Sequence, residues 1–556
     1  MQAKFLLTLI AGFIPFIFSA QNYFSDFNFT EADSIRGELQ VNRSCYDVHH
    51  YDLNIAIDMD RKSISGYNKI SLQYLEQSDQ IQIDLFENLK VDSILVDSEK
   101  IDYTRKFDAI FINTPEWNPD SKHEILVAYS GIPIIARHAP WDGGFSWDYD
   151  STGQPFVGVS CEGIGASLWW PCKDHLSDEP DSMDIKITIP STLMVVANGN
   201  LISTEEQNDQ STYHWKVSYP INNYNVTLNI ANYAHFNEQY ISGVDTLDLD
   251  YYVLKHHLEI AKEHFKQVPG VLEAFEYYFG SYPFWNDGYA LVETPYLGME
   301  HQSAIAYGNQ YMRGYLGRMI PKDMDWDYII VHETGHEYWG NSVSITDHAD
   351  MWIHESFTTY MEALYVEYHY GREAVDRYLS LFKKHDNKLP IIGPANVNFQ
   401  DWGSSDHYFK GSWILHTIRS IYNEDERWFR SLRDIYNEFK YSVTNSEELL
   451  NYMCHQFEEH PDYDFSLRPI LDQYLYHPNI PTLEYRIKEK KKSLVVDYRW
   501  DTDVEGFEMP IEIGKQGQWF RVKATNKWAE LIIPNFRAID FDINGKGYLI
   551  NEKKLK

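Results

Sequence analysis

The hydrophobic pattern of this 556-residue chain changes its period twice, and this change constrains the fold more than any single motif. From about residue 40 to 235, apolar and polar residues alternate, as in "YDVHHYDLNIAIDMD", where Leu53, Ile55 and Ile57 share one face. A period of two is typical of half-buried β-strands. We therefore predict an antiparallel β-domain over residues 40–235.

The period then changes to that of a helix and later changes back. Over residues 251–476, apolar residues recur every three or four positions, as on one face of a helix. Alternation returns in "TLEYRIK" and continues to the end of the chain. We predict a mostly helical central domain over residues 236–477 and a small β-sandwich over residues 478–556. The expected fold class is multidomain α+β.

The charge of the chain argues against one class of partner. The sequence has 82 acidic residues against 48 basic ones, which gives a formal net charge of −34. Such a surface repels phosphate backbones and anionic lipid headgroups. We expect no nucleic-acid partner.

The first residues resemble an export signal. Lys4 precedes an apolar run over residues 5–18, and Ser19 and Ala20 follow it. The run is short for a membrane span, so we predict a signal peptide over residues 1–20 and a periplasmic or extracellular protein. Phe18 occupies a position before the expected cleavage site where a small residue is usual. A signal that stays uncleaved and anchors the protein is therefore the alternative. No later segment is apolar enough to cross a bilayer.

The cysteines leave one question open. The chain has only four, too few for a disulfide framework to hold an exported protein of this size. Cys161 and Cys172 are near enough in sequence to pair across a turn, and two unpaired buried thiols are the alternative.

The segment "VHETGHEYWG" holds two histidines four positions apart. We predict a helix over "PKDMDWDYIIVHETGHEYWGN", with Pro321 near its start, so that His332 and His336 project from one face. Their imidazoles are then placed to bind one metal ion. For the bare pair, packed or solvated histidines are the alternative interpretation.

A glutamate on a second predicted helix completes the set of metal ligands. Glu355 lies on the first turn of the helix predicted over "MWIHESFTTYMEALYVEYHYG", and two antiparallel helices return it to the face that carries the histidines. A His, His, Glu set leaves the fourth zinc position open, as catalysis requires. Glu333 is placed to take a proton from a zinc-bound water. Glu362, two turns after Glu355, is placed to accept from a ligand imidazole, unless it is an exposed helical residue.

The spacing of these residues resembles that of the gluzincin zinc aminopeptidases, the family of aminopeptidase N and the leukotriene-hydrolysing enzyme. The family motif, HExxH followed by eighteen residues and Glu, is matched by His332, Glu333, His336 and Glu355. Thermolysin-type endopeptidases have one more residue in that gap. The resemblance implies an N-terminal β-saddle domain, a thermolysin-like catalytic domain with one zinc ion per chain, and a small β-sandwich. It also implies a short form without the large C-terminal helical domain of longer relatives.

A second motif bears on the substrate. "VETPYLGMEHQSAIAYG" is similar to the family's Gly-x-Met-Glu-Asn motif, with Met299 and Glu300 in the matching places. The resemblance implies that Glu300 binds the free α-amino group of a peptide, with Gly298 and Met299 beside it. Leu297 replaces the first Gly and His301 replaces the Asn, and these departures put the shape of the S1 subsite in doubt.

Two further segments fit the same resemblance. "SCEGIGASLWWPCKDH" resembles the stretch that contributes a second residue to the amine site, at Glu162, although the residues after Pro-Cys depart from the family. A strand glutamate that faces solvent is the alternative. "HYFKGSW" matches the Tyr-x-Lys-Gly signature, which implies that Tyr408 donates to the developing oxyanion.

The resulting functional prediction is a zinc aminopeptidase that removes N-terminal residues from peptides with a free N-terminus. An endopeptidase or epoxide hydrolase on the same scaffold is one rival, and Glu300 argues against it. A non-catalytic binding protein is the other, and the complete set of ligands, base and oxyanion donor argues against that.

Overall fold

The computed structural model describes residues 23–114, 117–243, 245–399, 402, 404–460 and 463–556. The predicted signal peptide lies outside these ranges. Within them, no helix is both long and apolar enough to cross a membrane.

The N-terminal region is built from strands, as predicted, after two short helices. The helices are α1 (Glu31–Gly37) and α2 (Val41–Ser44). The strands are β1 (Tyr46–Asp58), β2 (Ser63–Tyr74), β3 (Gln80–Asp84), β4 (Leu89–Val96), β5 (Glu99–Lys100), β6 (Thr104–Lys106), β7 (Ala109–Asn113), β8 (Lys122–Gly131), β9 (Gly144–Tyr149), β10 (Pro155–Ser160), β11 (Ser182–Pro190), β12 (Met194–Ala197), β13 (Asn200–Gln207), β14 (Gln210–Val217) and β15 (Leu228–Ala231). In the described part of the chain they form three sheets, ordered β13-β14-β11-β1-β2-β8-β4-β5, β12-β15-β10-β9 and β3-β7-β6.

Alternation correctly identified the buried face of β1 but not its partners. Leu53, Ile55 and Ile57 are at most 4% exposed, as the period of two predicts. However, β1 pairs in parallel with β11, with Leu53 opposite Ile185. The prediction of a purely antiparallel domain was therefore wrong at this pair. A period of two determines which face is buried, but it carries no information about the direction of the neighbouring strand.

The central region combines one mixed sheet with most of the helices. Its strands are β16 (Tyr233–Ser242), β17 (Asp245–Leu254), β18 (Tyr289–Glu293), β19 (Gly298–Met299), β20 (Ile305–Tyr307), β21 (Val343–Ile345) and β22 (Ser442–Thr444). Its helices are α3 (Leu258–His264), α4 (Val268–Phe279), α5 (Tyr328–His336), α6 (Trp352–Tyr370), α7 (Arg372–Leu379), α8 (Asp406–Tyr422), α9 (Asp425–Phe439), α10 (Ser446–Glu458) and α11 (Arg468–Leu475). Among the described residues the sheet has the order β16-β17-β18-β20-β19, and β21 pairs with β22.

Helix α5 begins later than predicted. The expected start near Pro321 was wrong, because Asp327 caps the helix and its side chain accepts from the backbone N–H groups of Ile329 and Ile330. The acidic residues before Asp327 therefore lie outside the helix.

The C-terminal region returns to strands, as the second change of period predicts. These are β23 (Thr482–Lys490), β24 (Ser493–Asp501), β25 (Glu508–Lys515), β26 (Gln518–Thr525), β27 (Ala529–Pro534), β28 (Asp542–Asn544) and β29 (Asn551–Lys554). Over the described range they form two sheets, β27-β24-β23-β29 and β26-β25-β28. Trp500 of the first sheet donates its indole N–H to the carbonyl of Met509 in the second, at 2.9 Å.

Two hydrophobic cores hold these regions together. One fills the N-terminal sheets, and the other is shared by the central helices and the C-terminal sheets. All four cysteines are buried free thiols, so Cys161 and Cys172 are not paired. The predicted domain boundaries stay predictions.

Candidate metal and amine site

Helices α5 and α6 bring three metal-ligand side chains to one point. His332 and His336 lie one turn apart on α5, and Glu355 lies in the first turn of α6. The ligand atoms of the three residues are all within 4.8 Å of one another, and all three side chains are buried. Glu355 Oε2 is 3.6 Å from His332 Nε2 and 3.4 Å from His336 Nε2. The helices approach closely enough that a Cβ on Gly335 would lie 3.0 Å from the methyl group of Thr358.

The other nitrogen of each imidazole already has an acceptor. His332 Nδ1 is 2.6 Å from Glu362 Oε1, and His336 Nδ1 is 2.9 Å from the Trp339 carbonyl. We assign the ring proton to Nδ1 in both residues, which leaves each Nε2 as a lone pair for a metal ion. Glu362 is fully buried and also accepts from Tyr378, so the alternative of an exposed helical glutamate was wrong.

The geometry passes a test of fit for a divalent metal. Glu355 Oε2 is buried and has no hydrogen-bond partner among the described residues. Burial opposes its ionisation, but the neighbouring imidazoles, His336 above all, hold the pKa of Glu355 well below its ordinary value. Positive charge at the two imidazoles stabilises this buried carboxylate, and a divalent cation bound by both Nε2 atoms and Glu355 Oε2 would supply that charge in place of the imidazole protons. Two histidines and one glutamate are a ligand set that suits zinc.

Glu333 lies next to the metal ligands and is itself buried. Burial raises its pKa to about 7, and a nearby dication would lower it again. Its carboxylate packs directly against Gly298, where an added Cβ would lie 2.6 Å from Glu333 Oε1. Glycine at residue 298 therefore makes room for this carboxylate, and Met299 follows it in β19.

Glu300 places a second negative charge beside the metal ligands. Its carboxylate, that of Glu333 and the ring of His336 offer ligand atoms that all lie within 4.8 Å of one another. Tyr224 donates its hydroxyl to Glu300 Oε1 at 3.2 Å, and Asn341 donates its side-chain amide to the Glu300 carbonyl at 2.8 Å. Burial raises the pKa of Glu300.

Glu162 reaches the same site from the N-terminal sheets. It lies in a turn just after β10, and its side chain is partly buried. Burial and the adjacent Glu300 carboxylate raise its pKa well above the ordinary range. The alternative of a strand glutamate that faces solvent was wrong, because Glu162 lies in a turn and is partly buried.

Tyr408 lies in the first turn of α8, close to the metal ligands. Its ring centroid is 6.1 Å from that of His332. Burial raises the pKa of Tyr408 well above its ordinary value, and the hydrogen bond of its hydroxyl to Glu355 adds to the effect. The phenol therefore stays protonated and can donate a hydrogen bond.

Two models of known protein families match the parts of the chain that form this site. The Peptidase family M1 domain matches residues 263–474, and the Peptidase M1 N-terminal domain matches residues 48–224. The first match contains every metal ligand, and the second contains Glu162 and Tyr224. The chain belongs to peptidase family M1.

Individual relatives of this M1 chain are distant. It is 22% identical over 426 residues to "Probable aminopeptidase 2" of Sulfurisphaera tokodaii, which covers 73% of this chain and 51% of the relative. It is 24% identical over 468 residues to "Leucine aminopeptidase 2" of Vanderwaltozyma polyspora, covering 78% and 66%. The chain thus spans about half to two thirds of the length of these curated relatives. The M1 zinc metallopeptidase of Deinococcus radiodurans has the same fold, with a TM-score of 0.61 at 19% identity over 74% of this chain and 90% of that chain.

The sequence did not reveal two residues of this M1 site. Tyr224 and Asn341 both contact Glu300, yet Tyr224 is 76 positions away from it. A single Tyr among 41 in the chain has no local pattern that distinguishes it. Asn341 directly follows the "HEYWG" segment, and its position there was the only available signal.

The electrostatics of the M1 site require cations. Four carboxylates, those of Glu162, Glu300, Glu333 and Glu355, influence one another within it. Burial opposes the ionisation of all four, and the pKa is raised for Glu162, Glu300 and Glu333, so the site by itself disfavours this many negative charges. A metal dication beside Glu355 and an ammonium group beside Glu300 would together offset three of these four negative charges.

Proposed function

We propose that this protein is a zinc-dependent aminopeptidase that removes N-terminal residues from peptides with a free N-terminus. One observation carries the proposal: a buried carboxylate, Glu300, lies within 4.8 Å of a metal ligand and the base. Because His332, His336 and Glu355 already form a complete set of metal ligands, Glu300 is free to pair with a substrate ammonium group. Such a pair places the first peptide bond at the metal and excludes peptides with a blocked N-terminus.

The roles of the residues follow from their positions. Glu300, with Glu162 beside it, binds the α-ammonium group and orients the substrate. Glu333 accepts a proton from the attacking water and passes it to the leaving amine. Tyr408 donates its hydroxyl to the carbonyl oxygen as negative charge develops there. One zinc ion per chain, held by His332, His336 and Glu355, would polarise the carbonyl and lower the pKa of a coordinated water.

The test compares two substrates that differ only at the amine. Wild type and Glu300→Ala are assayed on leucine p-nitroanilide and on its N-acetyl derivative, with and without a chelator. We expect wild type to cleave only the free-amine substrate, to need the metal, and to lose about 100-fold or more in kcat/KM in the variant. Glu205→Ala, which removes an exposed glutamate, is the control and should behave as wild type. Equal cleavage of the acetylated substrate would contradict the exopeptidase assignment.

Two further proposals concern the ends of the chain. The apolar run after Lys4 supports an export signal over residues 1–20, and therefore a periplasmic or extracellular location. N-terminal sequencing of the protein recovered outside the cytoplasm tests this, with Gln21 as the expected first residue. The contact between Trp500 and Met509 supports a β-sandwich formed by the two C-terminal sheets.

A further inference from the structure

The segment that precedes β1 contacts both halves of the molecule. We call residues 23–44 the N-terminal arm. Its second half is anchored on the N-terminal sheets by two arginines. Arg43 forms a fully buried ion pair with Asp84 at 2.8 Å, and Arg36 lies 3.3 Å from Asp174. Arg43 also donates to the carbonyl of Arg36 at 2.6 Å, which ties the two anchors together.

The first half of the arm packs on the catalytic region instead. The ring centroids of Phe24 and Phe27 lie 5.3 Å and 5.1 Å from that of Phe399, and Phe24 is only 4% exposed. At the end of α1 the arm touches the same segment again, because a Cβ on Gly37 would lie 2.3 Å from the backbone of Val397. The arm therefore packs against Val397 and Phe399, which precede α8 in the chain.

A continuous row of rings connects this contact to the active site. The ring centroid of Phe399 is 5.2 Å from that of Trp402, which is 5.3 Å from that of His407. The centroid of His407 is in turn 4.5 Å from that of Tyr408. Ser356 holds the backbone here by donating to the His407 carbonyl at 2.6 Å. The backbone is thus fixed independently of the arm, and what the ring row adds is the orientation of the side chains.

Through Tyr23, the arm also contacts His477, which lies near the first turn of α8. The Tyr23 hydroxyl is 3.3 Å from His477 Nδ1. Lys410, two residues after Tyr408, donates to the carbonyl of His477 at 3.4 Å and to that of Pro478 at 2.8 Å. The arm is therefore connected to both neighbours of Tyr408 indirectly, to His407 through Phe399 and Trp402 and to Lys410 through His477.

We propose that the N-terminal arm is a positioning element of the active site, which acts through the ring row to hold the Tyr408 hydroxyl in place for the substrate oxygen. This inference rests on the proposed role of Tyr408. A hydrogen-bond donor stabilises the transition state only if it is already oriented toward the substrate oxygen before the reaction begins. A misplacement of about 1 Å can lower the rate about 100-fold. Loosening the arm should therefore lower kcat and leave the amine and metal contacts intact.

The first experiment removes the rings of the arm. In Phe24→Ala/Phe27→Ala we expect kcat for leucine p-nitroanilide to fall about tenfold, with KM within about twofold and zinc content unchanged. Phe24→Leu/Phe27→Leu, which keeps most of the apolar volume, should recover part of the loss. Leu39→Ala removes an arm side chain that is 40% exposed and should behave as wild type. If the double alanine variant does not fold, Phe27→Ala alone, at a half-buried position, should give a loss of about threefold.

A double-mutant cycle decides whether the arm acts through Tyr408. In a Tyr408→Phe background the arm substitutions should cause no further loss of kcat, because the hydroxyl that they position is already absent. A full additional tenfold loss in that background, or a loss confined to KM, would overturn the proposal.

A binding measurement gives a readout that does not depend on turnover. By calorimetry on zinc-loaded protein, the tetrahedral phosphonic acid analogue of leucine should bind the arm variant about tenfold more weakly, while L-leucine binds equally well. Equal weakening of both ligands would also overturn the proposal. If wild type does not cleave the free-amine substrate, the proposed function fails; if wild type is active and the cycle is additive, only the role of the arm fails.

Discussion

The two halves of the active site are assembled in different ways. The metal half uses residues 332–362, on two helices of one domain that pack directly together. The amine half combines Glu300 with Glu162 and Tyr224, which come from a turn and a short 3-10 helix of the N-terminal region and precede it by 138 and 76 positions. One half therefore depends on helix periodicity, and the other depends on how two domains dock.

The docking contacts lie at the amine half itself. Asn225 donates to the side-chain oxygen of Asn341 at 2.7 Å, and Asn341 donates to the carbonyl of Glu300 at 2.8 Å. Asn198, also from the N-terminal domain, donates to the carbonyl of Gln302 at 2.8 Å. The backbone around Glu300 is thus held by side chains of the interface. Substitutions in the metal half should affect metal binding and turnover, whereas those at the interface should affect recognition of the substrate amine.

The largest effect is expected from the base. In Glu333→Gln, kcat should fall by about 10³-fold or more, because the amide cannot accept the proton of the attacking water. Zinc content and KM should stay near those of wild type, since Glu333 is not one of the three metal ligands. Metal analysis and steady-state kinetics on the same preparation check this. Retention of more than about a tenth of wild-type kcat would show that another group takes the proton.

A smaller effect is expected from the residue that orients His332. Glu362→Gln should weaken zinc binding by about 10- to 100-fold, because the amide is a weaker acceptor for the His332 N–H. At saturating zinc, kcat and the KM for the free-amine substrate should return close to wild type. Competition with a chelator of known affinity measures the change, and Glu373→Gln, at an exposed position of α7, is the control. A change in KM that zinc does not restore would mean that substitutions in the metal half also affect recognition of the substrate amine.

The metal half was predictable from the sequence for a physical reason. Residues four positions apart on a helix face the same way, so the spacing of His332 and His336 predicts their geometry directly. The position of Glu355 required only that two neighbouring helices run antiparallel. Glu362 followed from the period of the same helix. In this half, the helix period alone relates the spacing of residues in the sequence to their positions in the structure.

The rest of the fold and the amine half of the site depend on contacts between distant segments, which no local sequence pattern encodes. The parallel pairing of β1 with β11 and the contact of Tyr224 with Glu300 both join segments more than seventy positions apart. The arm is a further case, because its phenylalanines precede Phe399 by more than 370 positions. Such contacts are chosen by the packing of whole domains. Glu162 and Tyr408 were found only through the resemblance to the family, not through any period.

The smallest effect should come from Tyr224→Phe, which tests the amine half without removing a charge. The Tyr224 hydroxyl donates to Glu300 Oε1 and so favours the ionised form of that carboxyl, while burial raises its pKa. Without the hydroxyl the pKa of Glu300 should rise further. Because only the carboxylate binds the ammonium group, the acid limb of kcat/KM should move to higher pH, with kcat unchanged at alkaline pH.

The matched control for this prediction is Tyr296→Phe. Tyr296 is a buried tyrosine of the same interface, but its hydroxyl donates to the carbonyl of Val159 at 3.1 Å and not to a carboxylate. Its substitution should leave the acid limb in place. An equal displacement in both variants would mean that domain docking, rather than the hydrogen bond to Glu300, sets the acid limb. A displacement in Tyr224→Phe alone would show that the N-terminal domain tunes the charge that recognises the substrate amine.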